Sequence, residues 1–264
     1  MKSYLLVTAL VALPSLAVLG AGCASPTYAH RAGSAAAPDG PGLRAMVIVR
    51  VATPWYAPRF LVRSKFRDVL PEYESLAPLE AKYFTISDAG AFGGIYLWTT
   101  RADAEKHFDE AWRANVRQRR GVDADVLVMD ALYVVQGRAL ANGEPRGARS
   151  VEYPAWASFV QWELPVGVEA SASAKALAGA SWSTELLMRG FVVTSPRTVG
   201  IVALWATREA AESAVTEDAR RSLGAVAMAG ASTFVLFEAP LLVDANLIDR
   251  ASPRKPTATR PRRP

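Results

Sequence analysis

Cysteine and histidine are scarce in this chain: one cysteine, Cys23, and two histidines, His30 and His107, among 264 residues. A lone cysteine excludes an intrachain disulfide and any thiolate-rich metal site. His107 is the only histidine of the region that reads as folded, so no convincing Ser-His-Asp triad can be assembled. A metal site from Asp103, His107 and Glu110 would draw on one helix face and lack a second histidine, so no metal is expected. Gly90, Gly93 and Gly94 lie in a hairpin and strand rather than at a helix start, which excludes a phosphate-binding loop. No unbroken apolar run reaches the roughly 20 residues of a membrane-spanning helix. Charge of one sign is also missing from the body of the chain. The net charge is +5, but Arg250, Arg254, Lys255, Arg260, Arg262 and Arg263 crowd the last fifteen residues without an acid. The remainder is near neutral and shows no aromatic-interleaved basic face, so nucleic acid is not an expected partner.

What is present begins with an export signal. Lys2 precedes a mostly apolar run from Tyr4 to Leu19, and Gly20, Ala21 and Gly22 lead to Cys23. Residues 1–23 read as a secretory signal peptide. Its end resembles a bacterial lipoprotein signal, in which the cysteine becomes the lipidated first residue, although Gly20 stands where that pattern prefers Leu. Cleavage by the general signal peptidase is the alternative. Lipidation at Cys23 would make the membrane a partner and place the protein in a bacterial cell envelope, facing the periplasm or exterior. Residues 24–43, rich in Ala, Pro, Gly and Ser, read as a flexible linker. Residues 241–264 form a basic, Pro-rich tail, either solvated or docking on anionic envelope polymer.

Between these ends lies a repeat. GGIYLWTTRADAEKHFDEAW from Gly93 to Trp112 returns 107 positions later as GIVALWATREAAESAV from Gly200 to Val215. At that offset Phe84 matches Phe191, Trp98 matches Trp205, and Thr100, Arg101, Ala104 and Glu105 match Thr207, Arg208, Ala211 and Glu212. In the first unit, residues 44–136, strands are expected over 44–51, 79–87, 92–99 and 125–135. A helix carries Val62, Phe66, Val69 and Leu70 and ends at Pro71, and a second runs from Arg101 to about Arg119, capped by Thr100 and stopped by Gly121. The order βαββαβ recurs after a linker at 137–152, in a divergent second unit at 153–240, with its last strand over 231–238. Such a unit makes a four-stranded antiparallel sheet with both helices on one face. Gly93, Ile95 and Leu97 alternate with Phe92, Tyr96 and Trp98, so neither face suits water. Packing the two sheets together covers both. The expected fold is α+β: two tandem ferredoxin-like units forming an intramolecular dimeric α+β barrel, a pseudo-dimer within one chain.

The stretch Pro78 to Trp112, with its Lys-Tyr strand, its Gly-Gly-Ile-Tyr-Leu-Trp strand and an acidic Ala-rich helix, resembles the YdhR-like mono-oxygenase family, a branch of the antibiotic-biosynthesis mono-oxygenase group. The resemblance implies a small hydrophobic or aromatic ligand held between a sheet and its own helices. It also implies oxidation without metal or flavin where there is any reaction. Haem degradation, found elsewhere in the superfamily, uses an Asn on the first strand, and Arg50 and its neighbours offer none. On that footing Trp55, Lys82, Tyr96, Trp98, Phe108 and Trp112 are the candidate ligand-binding residues. Cofactor-free oxygenation needs a base and a stabilised anion in a dry site. His107 is the base candidate, with Tyr96 and Trp98 beside it as candidate catalytic groups and Lys82 as a further oxyanion donor. The plainer reading is that the rings fill the core and that His107 is a half-exposed helical histidine whose charged form Asp103 and Glu110 favour. The second unit has Ala203 and Ala219 where the first has Tyr96 and Trp112, so a single site would lie in the first unit. The competing class of function is a non-catalytic envelope lipoprotein.

Overall fold

In the computed structural model of the chain, the residues described are 43–54, 57–137, 139, 150–180 and 185–244; Cys23 and Trp55 lie outside them. The first half contains β1 (Arg44–Ala52), α1 (Arg59–Glu74), β2 (Leu79–Ser87), β3 (Ala91–Trp98), α2 (Arg101–His107), α3 (Glu110–Arg120) and β4 (Asp125–Gln136). The second contains β5 (Ser150–Glu163), α4 (Ala170–Ala178), β6 (Leu187–Ser195), β7 (Thr198–Trp205), α5 (Arg208–Ala214), α6 (Glu217–Val226) and β8 (Ser232–Asp244). All strand pairs are antiparallel, and the strands close into one barrel in the order β1-β3-β2-β8-β5-β7-β6-β4. Each half supplies a four-stranded ferredoxin-like sheet, β4-β1-β3-β2 or β8-β5-β7-β6. The two sheets join at β2 with β8 and at β4 with β6, so that no edge is left open.

Alternation along the strands sends one face inward and the other to the helices. Met46, Ile48, Tyr83, Ile95, Leu97, Met129, Phe159, Phe191, Leu204 and Phe237 fill the barrel interior. On the outer face of the first sheet, Val47, Val49, Tyr96 and Trp98 pack with Ala104 and Phe108. The second sheet presents Val160, Trp162, Ile201 and Trp205 to Ala174, Leu177, Ala211 and Val215. The barrel is therefore a packed core, and space for function has to come from the helix layers.

Several expected boundaries move. The helix expected from Arg101 to Arg119 is two helices in each half. The Asp109 side chain accepts from the Trp112 N–H and caps α3, and at the equivalent place the Thr216 side chain accepts from the Ala219 N–H and caps α6. The new helix begins where a cap residue offers an oxygen to free backbone N–H groups. Thr100 and Gly121 act as expected, Thr100 accepting from the Asp103 N–H and Gly121 ending α3 at φ 71°. Helix α1 runs past Pro71 to Glu74, since a proline near the last turn removes only one ladder bond. β8 extends to Asp244, beyond the expected end of the second unit, because Leu241 to Asp244 pair with Ala81 to Phe84.

The 107 offset holds for β3 and β7 but not for β2 and β6. Tyr83 pairs with Ile95 and Phe191 pairs with Val202, the β7 counterpart of Ile95, so Phe191 corresponds to Tyr83 and not to Phe84. One residue of slip reverses the faces: Phe191 points into the barrel while Phe84 points to α1. By the same register Lys82 corresponds to Gly190, Val47 to Ser158 and Tyr96 to Ala203.

Gly93 packs tightly against the backbone of β1. A Cβ there would lie 2.0 Å from the Val49 carbonyl oxygen, against 2.9 Å from that of Val160 at the counterpart Gly200. Backbone cannot move aside as a side chain tip can, so Gly93→Ala should cost about 3 kcal/mol and Gly200→Ala about 1 kcal/mol. Urea-unfolding midpoints of the two variants should separate in that order; equal midpoints would refute the close-approach account.

Candidate functional site

The helix layer of the first half is where the strands place chemistry. Lys82 on β2 and Tyr96 on β3 are cross-strand partners, and both side chains face the helices, as do Phe84 and Trp98 two residues along each strand. From above, Tyr73 comes from the last turn of α1, His107 and Phe108 from the end of α2, and Trp112 from the first turn of α3. The capped break between α2 and α3 turns Phe108 and Trp112 toward each other, with ring centroids 5.0 Å apart and planes nearly perpendicular. Phe108 meets Tyr96 at 5.1 Å, Trp98 at 6.0 Å and His107 at 4.7 Å, all edge to face. His107 lies 4.9 Å from Trp98 and 6.5 Å from Tyr73. The rings are in contact throughout, the arrangement aromatic pairs prefer.

Two polar groups do not fit a plain aromatic core. The first is Lys82, 3% exposed, whose Nζ lies 2.9 Å above the Tyr73 ring centroid, 4.0 Å from that of Phe84 and 4.7 Å from that of Tyr96. Burial pushes its pKa well below the usual lysine value, and the charge of Glu72 opposes the shift. The aromatic faces also favour the ammonium, but cation–π contacts bring only about 0.5–2 kcal/mol, against several for desolvating a charge. Desolvation outweighs both, so Lys82 holds its proton less firmly than an exposed lysine does. The second is Trp98, 1% exposed, whose Nε1 hydrogen has no acceptor. In the other half Trp205 donates its Nε1 hydrogen to Ser158 Oγ at 2.9 Å; the first half has Val47 at that place, which cannot accept.

The titrations of the remaining groups follow from the same burial. The His107 pKa is lowered to about 4, by burial first and then by the charge of Lys82, with Asp109 pulling weakly the other way. This corrects the expectation that neighbouring carboxylates hold it charged. Asp103 is engaged by the hydroxyls of Thr99 and Thr100 at 3.0 and 2.6 Å, and Glu110 belongs to the next helix. Asp103, His107 and Glu110 therefore do not share one helix face. Burial also raises the Tyr96 pKa well above its ordinary value, helped by the charge of Tyr73, a hydrogen bond between the two hydroxyls, and Glu72. At neutral pH the layer holds a neutral imidazole, a phenol and an amine that resists protonation.

The structure thus brings together Lys82, Tyr96, Trp98, His107, Phe108 and Trp112, and adds Tyr73. Sequence reasoning missed Tyr73, although its spacing of seven from Phe66 places it on the apolar face of α1. Trp55 falls outside the described residues. A shallow depression of about 550 Å³ opens at one barrel mouth beside Arg50, Asp88, Asp125 and Phe234, and none of the aromatic-layer residues lines it.

Comparison with known proteins finds likeness at the level of fold. No family model matches the chain, and no curated protein matches it. Among solved structures, a proposed monooxygenase of Fusobacterium nucleatum superposes with a TM-score of 0.55 at 6% identity, over 77% of this chain and 95% of the other. An anthrone oxidase-like protein superposes with a TM-score of 0.50 at 10% identity, over 76% of this chain and 92% of the other. Both matches span more than either half, so the whole double barrel is the shared object. The chain has the ferredoxin-like barrel fold of monooxygenase-like proteins.

Titration of buried Lys82 and half-buried His107 makes stability depend on pH. Above the unfolded lysine pKa of about 10.4 both states are neutral at Lys82. As pH falls below it, the unfolded chain binds a proton that the folded chain refuses, and stability drops until the folded pKa is passed. His107 adds a further loss between pH 6.5 and about 4, on the order of 2–3 kcal/mol. Lys82→Met should raise stability at neutral pH by about 1–3 kcal/mol and remove the alkaline rise, while His107→Leu should remove the acid loss. Denaturant titrations from pH 4 to pH 10 measure both; variants that parallel the wild type at every pH would contradict the assignment.

Proposed function

We propose that the protein is an exported, lipid-anchored, monooxygenase-like protein that binds a small hydrophobic or aromatic ligand in the helix layer of its first half. The observation that carries this reading is the difference between the two halves. A layer meant only to fill space has no use for a buried amine and an indole N–H without an acceptor. The second half, with the same elements and the same sheet, has Gly190 and Ala203 in place of Lys82 and Tyr96 and satisfies Trp205 through Ser158. Polar groups whose bonds are left unmade in a buried aromatic setting are what ligand sites contain.

The chemistry open to such a site is cofactor-independent oxidation. The ligand must give up a proton and then an electron to dioxygen, and the site must hold the resulting anion away from water. Trp98 Nε1 and Tyr96 supply donors to an oxyanion, and His107 and Lys82 supply bases. The YdhR-like kinship of the first half, and the descent of both halves from one duplicated unit, belong to the same reading; the repeat at 107 positions supports the second. Anchoring through Cys23 rests on the character of residues 1–23. The close contact of the rings with one another favours a second reading, a non-catalytic envelope lipoprotein in which they are core.

Titrating the full chain with hydrophobic phenols and quinols while following tryptophan fluorescence tests the binding. Saturable quenching is expected, weakened at least tenfold by Tyr96→Ala and Trp112→Ala, and oxygen uptake should follow with any ligand so found. Absence of quenching, with both variants merely less stable, would leave the non-catalytic reading. Palmitate labelling lost in Cys23→Ser would support the anchor, and labelling unchanged in that variant would oppose it.

A further inference from the structure

The ring that covers Lys82 is itself a phenol. Tyr73 lies with its ring centroid 2.9 Å from Nζ and 5.9 Å from that of Tyr96. It is half-buried, where Lys82, Tyr96 and Trp98 are buried. It also stands in the last turn of α1, two residues beyond Pro71, whose missing N–H leaves that turn with one bond fewer. Because the rings of the layer are in contact, a ligand can enter only by replacing one of them. Tyr73 is the ring directly over the amine, and it is only half-buried.

We propose that the Tyr73 side chain occupies the ligand position of the first half, that a hydroxyaromatic ligand displaces it, and that Lys82 Nζ then takes the proton of the ligand hydroxyl while Trp98 Nε1 donates to a second oxygen of the ligand. This rests on the binding reading given above and shifts the base from His107 to Lys82. The step is a proton transfer alone: the ligand O–H breaks, an N–H forms on Nζ, and an ammonium–phenolate pair remains. Such a pair is far better matched to a buried aromatic box than a lone ammonium, because the ligand brings the counter-charge with it. A neutral amine is needed at the start. Desolvation favours it against the pull of Glu72 on α1, while Tyr73 and Tyr96, both phenols, and His107, lowered to about 4, add no positive charge at neutral pH. Of the two bases Lys82 is the one against the resident ring, its Nζ 2.9 Å from the Tyr73 centroid, whereas His107 meets Tyr73 at 6.5 Å between ring centroids. The counterpart of Lys82 in the second half is Gly190, so the proposal confines the chemistry to one half.

4-Nitrophenol is a suitable probe, because it carries a hydroxyl for Lys82 and a nitro oxygen for Trp98 and absorbs differently when ionised. With the full chain at pH 6, binding should raise the ionised fraction of the probe several-fold over that in buffer. Lys82→Met should bind within about threefold of wild type but leave the probe un-ionised. Trp98→Phe should weaken binding about tenfold. Tyr73→Leu should bind roughly tenfold tighter, as expected when a competing occupant present about nine-tenths of the time is removed. Ionisation that persists in Lys82→Met would overturn the base assignment, and unchanged affinity in Tyr73→Leu would overturn the displacement. Binding without ionisation in the wild type would sink this proposal and leave the binding reading standing; no binding by fluorescence or absorbance would sink both.

Discussion

Closure of the barrel is the constraint on which the rest depends. A ferredoxin-like sheet has two edges with unpaired backbone groups and one face without helices, and neither can be left to water in a chain this apolar. Pairing β2 with β8 and β4 with β6 satisfies both edges of both sheets at once. It also brings the two inner faces together, where Tyr83 and Phe191 meet with ring centroids 6.5 Å apart. Ion pairs across the halves add orientation on the outside: Glu238 holds Arg63 and Arg59, and Asp88 holds Arg208. Being exposed on at least one side, these contribute little energy. The interior is consumed by this arrangement, so any specialised chemistry is pushed into a helix layer.

The two halves then serve as controls for each other. Both need a large ring at the end of β3 or β7, and both have one, Trp98 or Trp205. Only the second half finishes the packing with a hydroxyl acceptor on the neighbouring strand. The first half places Val47 there, adds Lys82 and Tyr96 across the adjacent pair of strands, and roofs them with Tyr73, His107, Phe108 and Trp112. The buried amine of Lys82 and the Trp98 indole N–H without an acceptor run against stability taken alone, and they converge on one spot. Local conflict of this kind, set within a fold that otherwise agrees at every level, is the pattern expected of a functional site.

Much of the fold was legible in the sequence because period-two alternation and cap residues are local signals. Ile95 and Leu97 fell on one face and Tyr96 and Trp98 on the other, as their spacing implied, and Thr100 and Gly121 bounded their helices. What could not be read was register between distant strands. The hairpin joining β2 to β3 has three residues between Ser87 and Ala91, whereas that joining β6 to β7 has two between Ser195 and Thr198, so Phe84 and Phe191 looked equivalent while facing opposite ways. The reach of β8 to Asp244 depended on β2, about 160 residues away. The break after Phe108 was visible in principle, since Asp109-Glu110 and Thr216-Glu217 both start helices and stand 107 apart. The candidate site was partly legible: the rings and Lys82 were named from the strand and helix patterns. The burial of Lys82 beneath Tyr73 was not, because it needs α1 to cross β2 at one particular height.

The most direct test is the titration of Lys82 itself. The chain has six lysines, so NMR of protein labelled with carbon-13 at lysine Cε gives few enough resonances to follow across pH, and Lys82→Met identifies the one that matters. One resonance should titrate well below the others, in the range where the folded chain is still intact. If all six titrate together near about 10.4, Lys82 is a solvated ammonium, and the first half has no buried base.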